Sequence, residues 1–384
     1  MYTKPQPDWD PRDEAVLDDQ IAGYDAMRKK CPVAHSEYLG WSLFRHADVV
    51  RVLNDHKTFS NAASGFLSVP NGMDPPLHTG YRQIVDAYFV PSYIDAFAPT
   101  CRKIAQRLTR ALPRGSELDF MANFAQDFSL EIQSAFLGWP ARLHEPLRLW
   151  IQKNRRATLA RDRDAMAAIA FEFDTYIKEM LDVRREAVDQ APDDITTRLL
   201  SDRVDGRLLT DDEIVSILRN WTVGELSTIA SCVGILAHYL AANQSVQALL
   251  RSDMSLLPGA IDEILRMHAP LIANRRMTTA PVEIDGKQIN AGERVTVIWA
   301  SANRDEEVFG DPDEFRLDRD PELNLLYGAG VHVCPGAPLA RLELTVVMEE
   351  LLRDSKLLSI PAGTQAKNAV YPASGFSVLP LRID

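Results

Sequence analysis

The stretch Tyr327-Gly328-Ala329-Gly330-Val331-His332-Val333-Cys334-Pro335-Gly336 decides how this 384-residue chain is read. It sets one cysteine behind a glycine-rich loop, just before the helix-forming run from Ala337 to Leu352. Helix starts carry unpaired backbone N–H groups and a partial positive charge, so Cys334 is expected to be held as a thiolate, the form that ligates metals. Gly328, Gly330 and Gly336 would let the backbone approach something large and flat without side-chain clash. Cys31, Cys101 and Cys232 lie far away in sequence, which leaves no spacing for a zinc or iron–sulfur cage of neighbouring thiolates. One thiolate among glycines suits a haem iron.

The pattern aromatic-Gly-x-Gly-x-His-x-Cys-x-Gly resembles the haem-binding loop of the cytochromes P-450, with Tyr327 in the slot where that family usually has Phe. Three further stretches match in the expected order. Glu263-Ile264-Leu265-Arg266 puts an acid and a base on one face of a helix, a pattern that taken alone reads as a solvated surface pair. At this distance before the cysteine, the resemblance implies a buried structural pair that ties the helix to the segment leading into the haem loop and serves folding and haem retention. Asp74-Pro75-Pro76-Leu77-His78-Thr79-Gly80-Tyr81-Arg82 is similar to the family's Asp-Pro-Pro-x-His-x-x-x-Arg entry to a helix. His78 and Arg82 fall at i, i+4, so both could donate to one anionic group, which the resemblance makes a haem propionate.

The third match is Arg276, in a segment expected to be a strand. Arg275 precedes it, side chains alternate faces along a strand, and only one of the two can point at a haem; Arg276 is assigned. His332 completes the implied propionate set. Asn303-Arg304-Asp305 with Phe309, Pro312 and Phe315 matches the family's structural segment before the haem loop.

Thr210 with Glu213 reads as a capping box that opens a long apolar helix, interrupted by Arg219, Glu225 and His238 and so not a membrane span. The family places a small residue, Gly, any residue, an acid and Thr at its middle, over the oxygen site. The matching residues here are Val223-Gly224-Glu225-Leu226-Ser227, followed by Thr228. Leu226 cannot relay a proton, and Glu225, one residue early, lies about 100° around a regular helix from the acid's usual place. The open readings are a relay through Ser227 or Thr228 and water, a displaced relay through Glu225 by a backbone bulge or water, or a weakened relay compensated by substrate or peroxide. Back-bonding of both hydroxyls to the preceding turn is the bland alternative.

Helices are expected near 13–30, 46–54, 78–88, 94–112, 118–137, 143–155, 163–190, 211–243, 257–267 and 335–354, with strands near 35–45, 271–300 and 370–383. This is a mainly α chain with small β-sheets, in keeping with the triangular haem fold that the resemblance implies. At 46% hydrophobic, with no Gly/Ser- or Pro-rich linker and no repeat, residues 1–384 are expected to form one haem-binding catalytic domain. The polar stretch Met1 to Trp9 shows no signal peptide or anchor, so a cytoplasmic protein without membrane attachment is expected. A net charge of −12 argues against broad nucleic-acid binding.

The function implied is monooxygenation by haem b (iron protoporphyrin IX) and O2: hydroxylation, or O-dealkylation where the attacked carbon bears an ether oxygen. No ferredoxin-like cysteine cluster or nucleotide-binding fingerprint is present, so a separate ferredoxin or flavin/iron–sulfur reductase is expected. Basic residues such as Arg102, Lys103, Arg107 and Arg341 could dock it. The substrate pocket implied by the family is Phe66, Leu67, Val69, Val223, Ile272, Ala273 and Phe376, a mostly apolar set that suits a small or medium hydrophobic, even aromatic, molecule. A peroxide-driven peroxygenase and a non-enzymatic haem-thiolate sensor are the competing readings, and turnover with each oxidant separates them.

Overall fold

Thr210 opens the long helix of the sequence reading through the expected capping box: its hydroxyl accepts from Glu213 N at 3.3 Å, and Glu213 Oε2 accepts from Thr210 N at 2.8 Å. In the computed structural model, which describes residues 6–63, 65–187, 190–371 and 373–384, this helix runs unbroken over Asp211–Ala242. Ile214, Ile217, Leu218, Leu226, Ile229, Val233, Leu236 and Leu240 bury its several sides, as a helix apolar all round must. It is long and apolar enough to cross a membrane, but most of that apolar stretch is buried within the fold.

The other main helices gather about it. In chain order they are α1 (Gln20–Lys30), α2 (His46–Asn54), α3 (Leu77–Asp86), α4 (Pro91–Ala111), α5 (Gln126–Leu137), α6 (His144–Ala160), α7 (Arg163–Ala187), α8 (the central helix), α9 (Gln244–Ser252), α10 (Leu257–His268) and α11 (Ala337–Asp354). Helices α5, α7, α10 and α11 pack directly on α8, and α11 lies along α4. One hydrophobic cluster joins α4, α5, α8, α10 and α11; a second joins α3, α6, α7 and the first half of α8.

The strands form small sheets. The largest has the order β1 (Val33–Ser36), β2 (Gly40–Leu43), then two later strands, then β3 (Phe59–Ser60). A short β4 (Glu117–Asp119) belongs elsewhere, so the two later strands are β5 (Ala273–Thr278) and β6 (Arg294–Ile298), giving β1-β2-β6-β5-β3. Gly40 has φ +73°, and a Cβ there would run into the carbonyl oxygen of Arg294 across the sheet, so glycine is required for β2 and β6 to pair. In β5 the register pairs Arg276 with Val295 and Arg275 with Thr296, which turns Arg276 inward and leaves Arg275 exposed. A second sheet orders β7 (Leu358–Ser359), β9 (Pro380–Ile383) and β4; β8 (Phe376–Val378) pairs with Lys367–Asn368.

Several boundaries differ from those expected. The helix expected over 118–137 instead begins as β4, passes through a wider helical turn at Met121–Ala125 and becomes regular only at Gln126. Pairing of Leu118 with Leu381 in β9 and the stacking of Phe120 on Phe124 outweigh local helix propensity there. The strand expected over 35–45 is the β1–β2 hairpin. That over 271–300 resolves into β5, the Val282–Ile284 and Lys287–Ile289 hairpin, and β6, with Trp299–Ala302 already helical. Helix α6 continues to Ala160, beyond the expected 155. Helices Ile195–Leu199 and α9 were not expected; each is short, and α9 follows α8 after the single residue Asn243. Residues 1–5 of the polar N-terminal stretch, 188–189 of the expected 163–190 helix and 372 of the expected 370–383 strand lie outside the described residues.

Glu263 and Arg266 of α10 are both buried and joined by Nε–Oε2 and Nη2–Oε1 contacts of 2.8 and 2.9 Å. Arg266 also donates to the carbonyls of Asn303 (2.7 Å) and Pro312 (3.0 Å), and Arg319 donates to Glu263 at 2.9 Å. The pair thus pins the chain over residues 303–319 to α10. Arg266→Ala takes from Glu263 its buried bidentate partner, leaving it Arg319, and leaves two carbonyls unpaired, and is expected to lower unfolding free energy by about 3 kcal/mol; denaturant titration monitored by circular dichroism checks it.

Candidate active site

The cysteine loop closes on itself before α11 begins. Gly328 turns with φ +74°, Cys334 N donates to Tyr327 O at 2.8 Å, and Val333 N donates to Gly330 O at 3.1 Å. Gly330 is needed for another reason than the one expected: a Cβ there would strike the backbone of Leu53 in α2, so it serves packing of the loop on the fold. Gly336 leaves room beside the sulfur, where a Cβ would stand 3.9 Å from Cys334 Sγ.

Cys334 has exposed surface although protein surrounds it on nearly every side, which places its sulfur on a void inside the fold. Burial raises its pKa, while the N–H groups of Gly336 and Ala337 and the charges of Arg82 and Arg341 pull it down. Burial is the largest of these influences. The helix start alone therefore does not hold the thiolate; a cation at the sulfur has to supply the remainder. Among the described residues no cluster of three His, Cys, Asp or Glu could hold a metal ion, so a metal at Cys334 must bring its other ligands with it.

Beside the loop the structure gathers basic side chains, most of which lack an anion. His78 on α3 and His332 in the loop stand with ring centroids 4.3 Å apart, and the Nε2 of each is buried without a partner. Burial and neighbouring cations lower both pKa values, that of His332 to about 3. Arg276 is 5% exposed, donates only to the Arg275 carbonyl, and is pushed down to about 10 by burial. Arg82 bonds Asp86 at 2.6 Å and the Val331 carbonyl at 3.3 Å. Asp74 is the nearby acid felt by His78, Arg276 and His332, but its oxygens already accept from Ser60 and from Asn61 N. Unpaired buried donors next to a thiol on a void fit a flat metal complex bearing carboxylates.

The middle of α8 also has open surface. Val223 is 41% exposed and Gly224 also has open surface, with nothing within 4 Å of where a Cβ would stand. Ser227 and Thr228 are half-buried, and neither hydroxyl bonds back to the preceding turn, whereas Thr222 does, to Leu218 O at 2.7 Å. The helix has no bulge here. Glu225 therefore stays rotated away from the direction of Leu226, which is buried in the cluster shared with α3, α6 and α7.

Residues 143–383 match the family model for cytochrome P-450. The chain is 31% identical to cytochrome P-450-terp of a Pseudomonas species, over 90% of each chain, and 30% identical to cyclomarin C epoxidase of Salinispora arenicola, over 85% of this chain and 86% of that one. It superposes with a TM-score of 0.86, at 28% identity and covering 96% of this chain and 97% of the other, on a mutant of P-450 EryK solved in complex with erythromycin B. The chain belongs to the cytochrome P-450 family. It is accordingly an oxidoreductase of the monooxygenase type with a haem-iron cofactor, using O2 and a redox partner, and its mainly α fold with small sheets is the family's.

Within this cytochrome P-450 the expected pocket residues divide. Phe66 and Leu67 have exposed side chains, as Val223 does, and Ala273 and Phe376 are half-buried, Phe376 lying against the His238 ring at 4.5 Å. Val69 and Ile272 are corrected: both are enclosed in hydrophobic clusters and offer a ligand no surface. The backbone of Val69 instead anchors its loop to α8, donating to Ser216 Oγ at 2.8 Å and accepting from Asn220 at 2.9 Å. The basic docking set is largely neutralised, since Arg102 pairs with Glu349 and Glu350, Arg107 with Glu131, and Arg341 with Asp262; Lys103 is exposed. Tyr327 carries the Arg341 guanidinium over its ring at 4.5 Å.

Sequence reasoning missed Arg319, which completes the Glu263–Arg266 pair from a loop without periodicity, and Glu343 of α11, fully buried amid charged helix neighbours. Removing one of the uncompensated cations should separate the two neighbouring arginines. Arg276→Leu is expected to lower the haem content of purified protein several-fold, and Arg275→Leu to leave it unchanged; the ratio of haem to protein absorbance decides.

Proposed function

We propose that this chain is a monooxygenase that hydroxylates or O-dealkylates a small or medium, mostly apolar substrate, aromatic ones included, with haem b as its cofactor. Electrons come from a separate ferredoxin or flavin/iron–sulfur reductase. The observation that carries the reading is the lone exposed thiol of the cysteine loop beside the unpartnered Nε2 atoms of His78 and His332 and the buried Arg276. When bound, thiolate-ligated haem supplies an oxidant able to abstract hydrogen from unactivated carbon. In this reading Cys334 would ligate the iron, and His78, Arg82, Arg276 and His332 would hold the propionates. Tyr327, Gly328 and Gly336 shape the loop.

The remaining residues act on the substrate side. Phe66, Leu67, Val223, Ala273 and Phe376 offer apolar surface that excludes water and orients a hydrophobic molecule by shape. Relatives are named for epoxidation and hydroxylation, and CYP109E1 of Bacillus megaterium, to which this fold is similar with a TM-score of 0.83 at 27% identity, covering 95% of this chain and 99% of that one, was solved in complex with testosterone. Those names support an apolar substrate for this chain. Protons pass through Ser227 or Thr228 and ordered water, since both hydroxyls are free of the helix backbone. Glu225 contributes from behind them.

Turnover with alternative oxidants tests the reading. Product is expected with an iron–sulfur donor, NAD(P)H and O2; product with peroxide alone would establish the peroxygenase, and product with neither across a broad panel of small aromatics and terpenes would favour a sensor. Cys334→Ala should lose the haem. In the O2-driven assay, a Ser227→Ala/Thr228→Ala double variant is expected to form roughly 10²-fold less product per NAD(P)H consumed, and equal coupling in variant and wild type would exclude both hydroxyls.

A further inference from the structure

Among the described residues, Arg155 of α6 is the arginine whose buried Nε has no hydrogen-bond partner. It enters no ion pair among them either: burial pushes its pKa down, and no acid stands near enough to oppose that. The basic groups around it are all accounted for. Lys153 pairs with Glu172, Arg156 is exposed, Arg161 donates to the Tyr38 carbonyl and covers the Tyr38 ring at 4.3 Å, and Arg219 of α8 binds Asp174 and the Leu67 carbonyl. A buried histidine can shed its proton, but a guanidinium cannot, so the desolvation of Arg155 goes unrelieved until an anion arrives.

The helices fix where that anion would lie. Helices α6 and α7 are joined by the turn at Arg161 and Asp162 and bring Trp150 and Phe173 together, ring centroids 5.0 Å apart, so they run antiparallel. Beside Phe173, Asp174 pairs with Arg219 of α8 at 2.7 Å, and Lys178 pairs with Asp212 at 2.9 Å, so α7 and α8 are antiparallel as well. Helix α6, which also touches α8, therefore runs in the same direction as α8, with Trp150 near the level of Arg219. Farther along α6 by about 7.5 Å, at 1.5 Å per residue, Arg155 stands level with Gly224. Ile151, one turn before Arg155 on the same stripe, packs on the cluster that holds Leu226, so this stripe faces inward.

Apolar surface gathers at that level. Val223 is exposed and a Cβ at Gly224 would meet nothing within 4 Å. The loop with the exposed side chains of Phe66 and Leu67 is tied just before it, since Ser216 and Arg219 both donate to the Leu67 carbonyl at 3.0 Å. Arg276 feels the charge of Asp74 but not that of Arg155, so Arg155 stands apart from the basic set beside the cysteine loop. One unpaired guanidinium bordering apolar surface suits a molecule with an apolar body and a single carboxylate, whose two oxygens match the guanidinium fork.

We propose that Arg155 binds the carboxylate of the substrate, so that the enzyme takes apolar monocarboxylic acids and attacks them at the end remote from the acid group. This rests on the reading of the chain as a monooxygenase with Phe66, Leu67 and Val223 in its pocket.

The test uses holoenzyme and a panel of benzoates, arylacetates and medium-chain alkanoates, each paired with its neutral methyl ester. Binding is read from the shift of the haem absorption band. At least one acid is expected to bind wild type about tenfold or more tightly than its ester. Arg155→Leu should remove that preference, and Arg156→Leu, on the exposed side, should keep it. Ligand-free Arg155→Leu should melt no lower than wild type, because it loses an unpaired charge, whereas a structural arginine would lower the melting temperature. Should Arg155→Leu fail to load haem, Arg155→Gln removes the charge while keeping a polar side chain and gives the same comparison.

A panel in which no acid binds better than its ester would overturn the proposal, as would a preference that survives in Arg155→Leu. Failure of the underlying reading looks different. Product from a neutral substrate with O2 and a donor, in an enzyme indifferent to carboxylates, would keep the monooxygenase and sink only the role of Arg155. Arg155-dependent binding of acids without turnover by any oxidant would sink the monooxygenase and keep the carboxylate site.

Discussion

Hydrogen-bonding groups left without partners around the cysteine loop are the constraint on which the arrangement depends. His78 and Arg276 are buried and His332 is half-buried, and the Nε2 of each histidine has no partner. Left alone, such groups respond by giving up protons, which is the direction all three pKa values take. The fold accepts this because three separate elements are fixed by contacts that have nothing to do with the charges. The Gly40 turn sets the sheet that presents Arg276, Gly330 lets the cysteine loop rest on α2, and the Glu263–Arg266–Arg319 group pins the segment that precedes the loop. An anionic, flat, metal-bearing cofactor at this place would relieve three desolvation penalties and a thiol's at once. Stability and cofactor retention are one problem here, and binding only to the native state couples them.

What could be read from the sequence follows from how local each signal is. The cysteine loop, His78–Arg82 and Glu263–Arg266 are short motifs whose residues lie within one turn or loop. The capping box of α8 is equally local, and its geometry is as the spacing of Thr210 and Glu213 implies. Strand alternation implied only that one of Arg275 and Arg276 could face inward, and the structure buries Arg276. Signals that depend on distant partners were not legible. Leu118 extends because Leu381 pairs with it, and Val69, an apolar loop residue in the right place for a pocket, proves to be core because α3 and α8 close over it. Arg319 and Glu343 belong to the same category, since each is a charged residue among charged residues until a remote helix buries it.

The same reasoning corrects the electrostatic account of the cysteine. A helix start favours a thiolate by about 1 kcal/mol at most sites, and on that ground the sequence implies an ionised Cys334. Enclosure by the fold weighs more in the structure and raises the thiol. A metal bound there would supply the ionisation, and the N–H groups of Gly336 and Ala337, which pull the thiol down, would share the sulfur's charge.

Leu226 shows how packing and proton supply constrain each other on one helix. Its side chain fills the cluster shared with α3, α6 and α7, where an acid would be desolvated with no partner. Glu225, one residue earlier, escapes that cluster, though burial still pushes its carboxyl upward. Because α8 has no bulge, neither side chain can take the other's direction. Moving the acid by one residue therefore turns it about 100° around the helix. Thr228, three residues after Glu225, is the hydroxyl next to it along the helix surface, and Ser227 lies farther round, so the two hydroxyls are not equivalent neighbours of that acid.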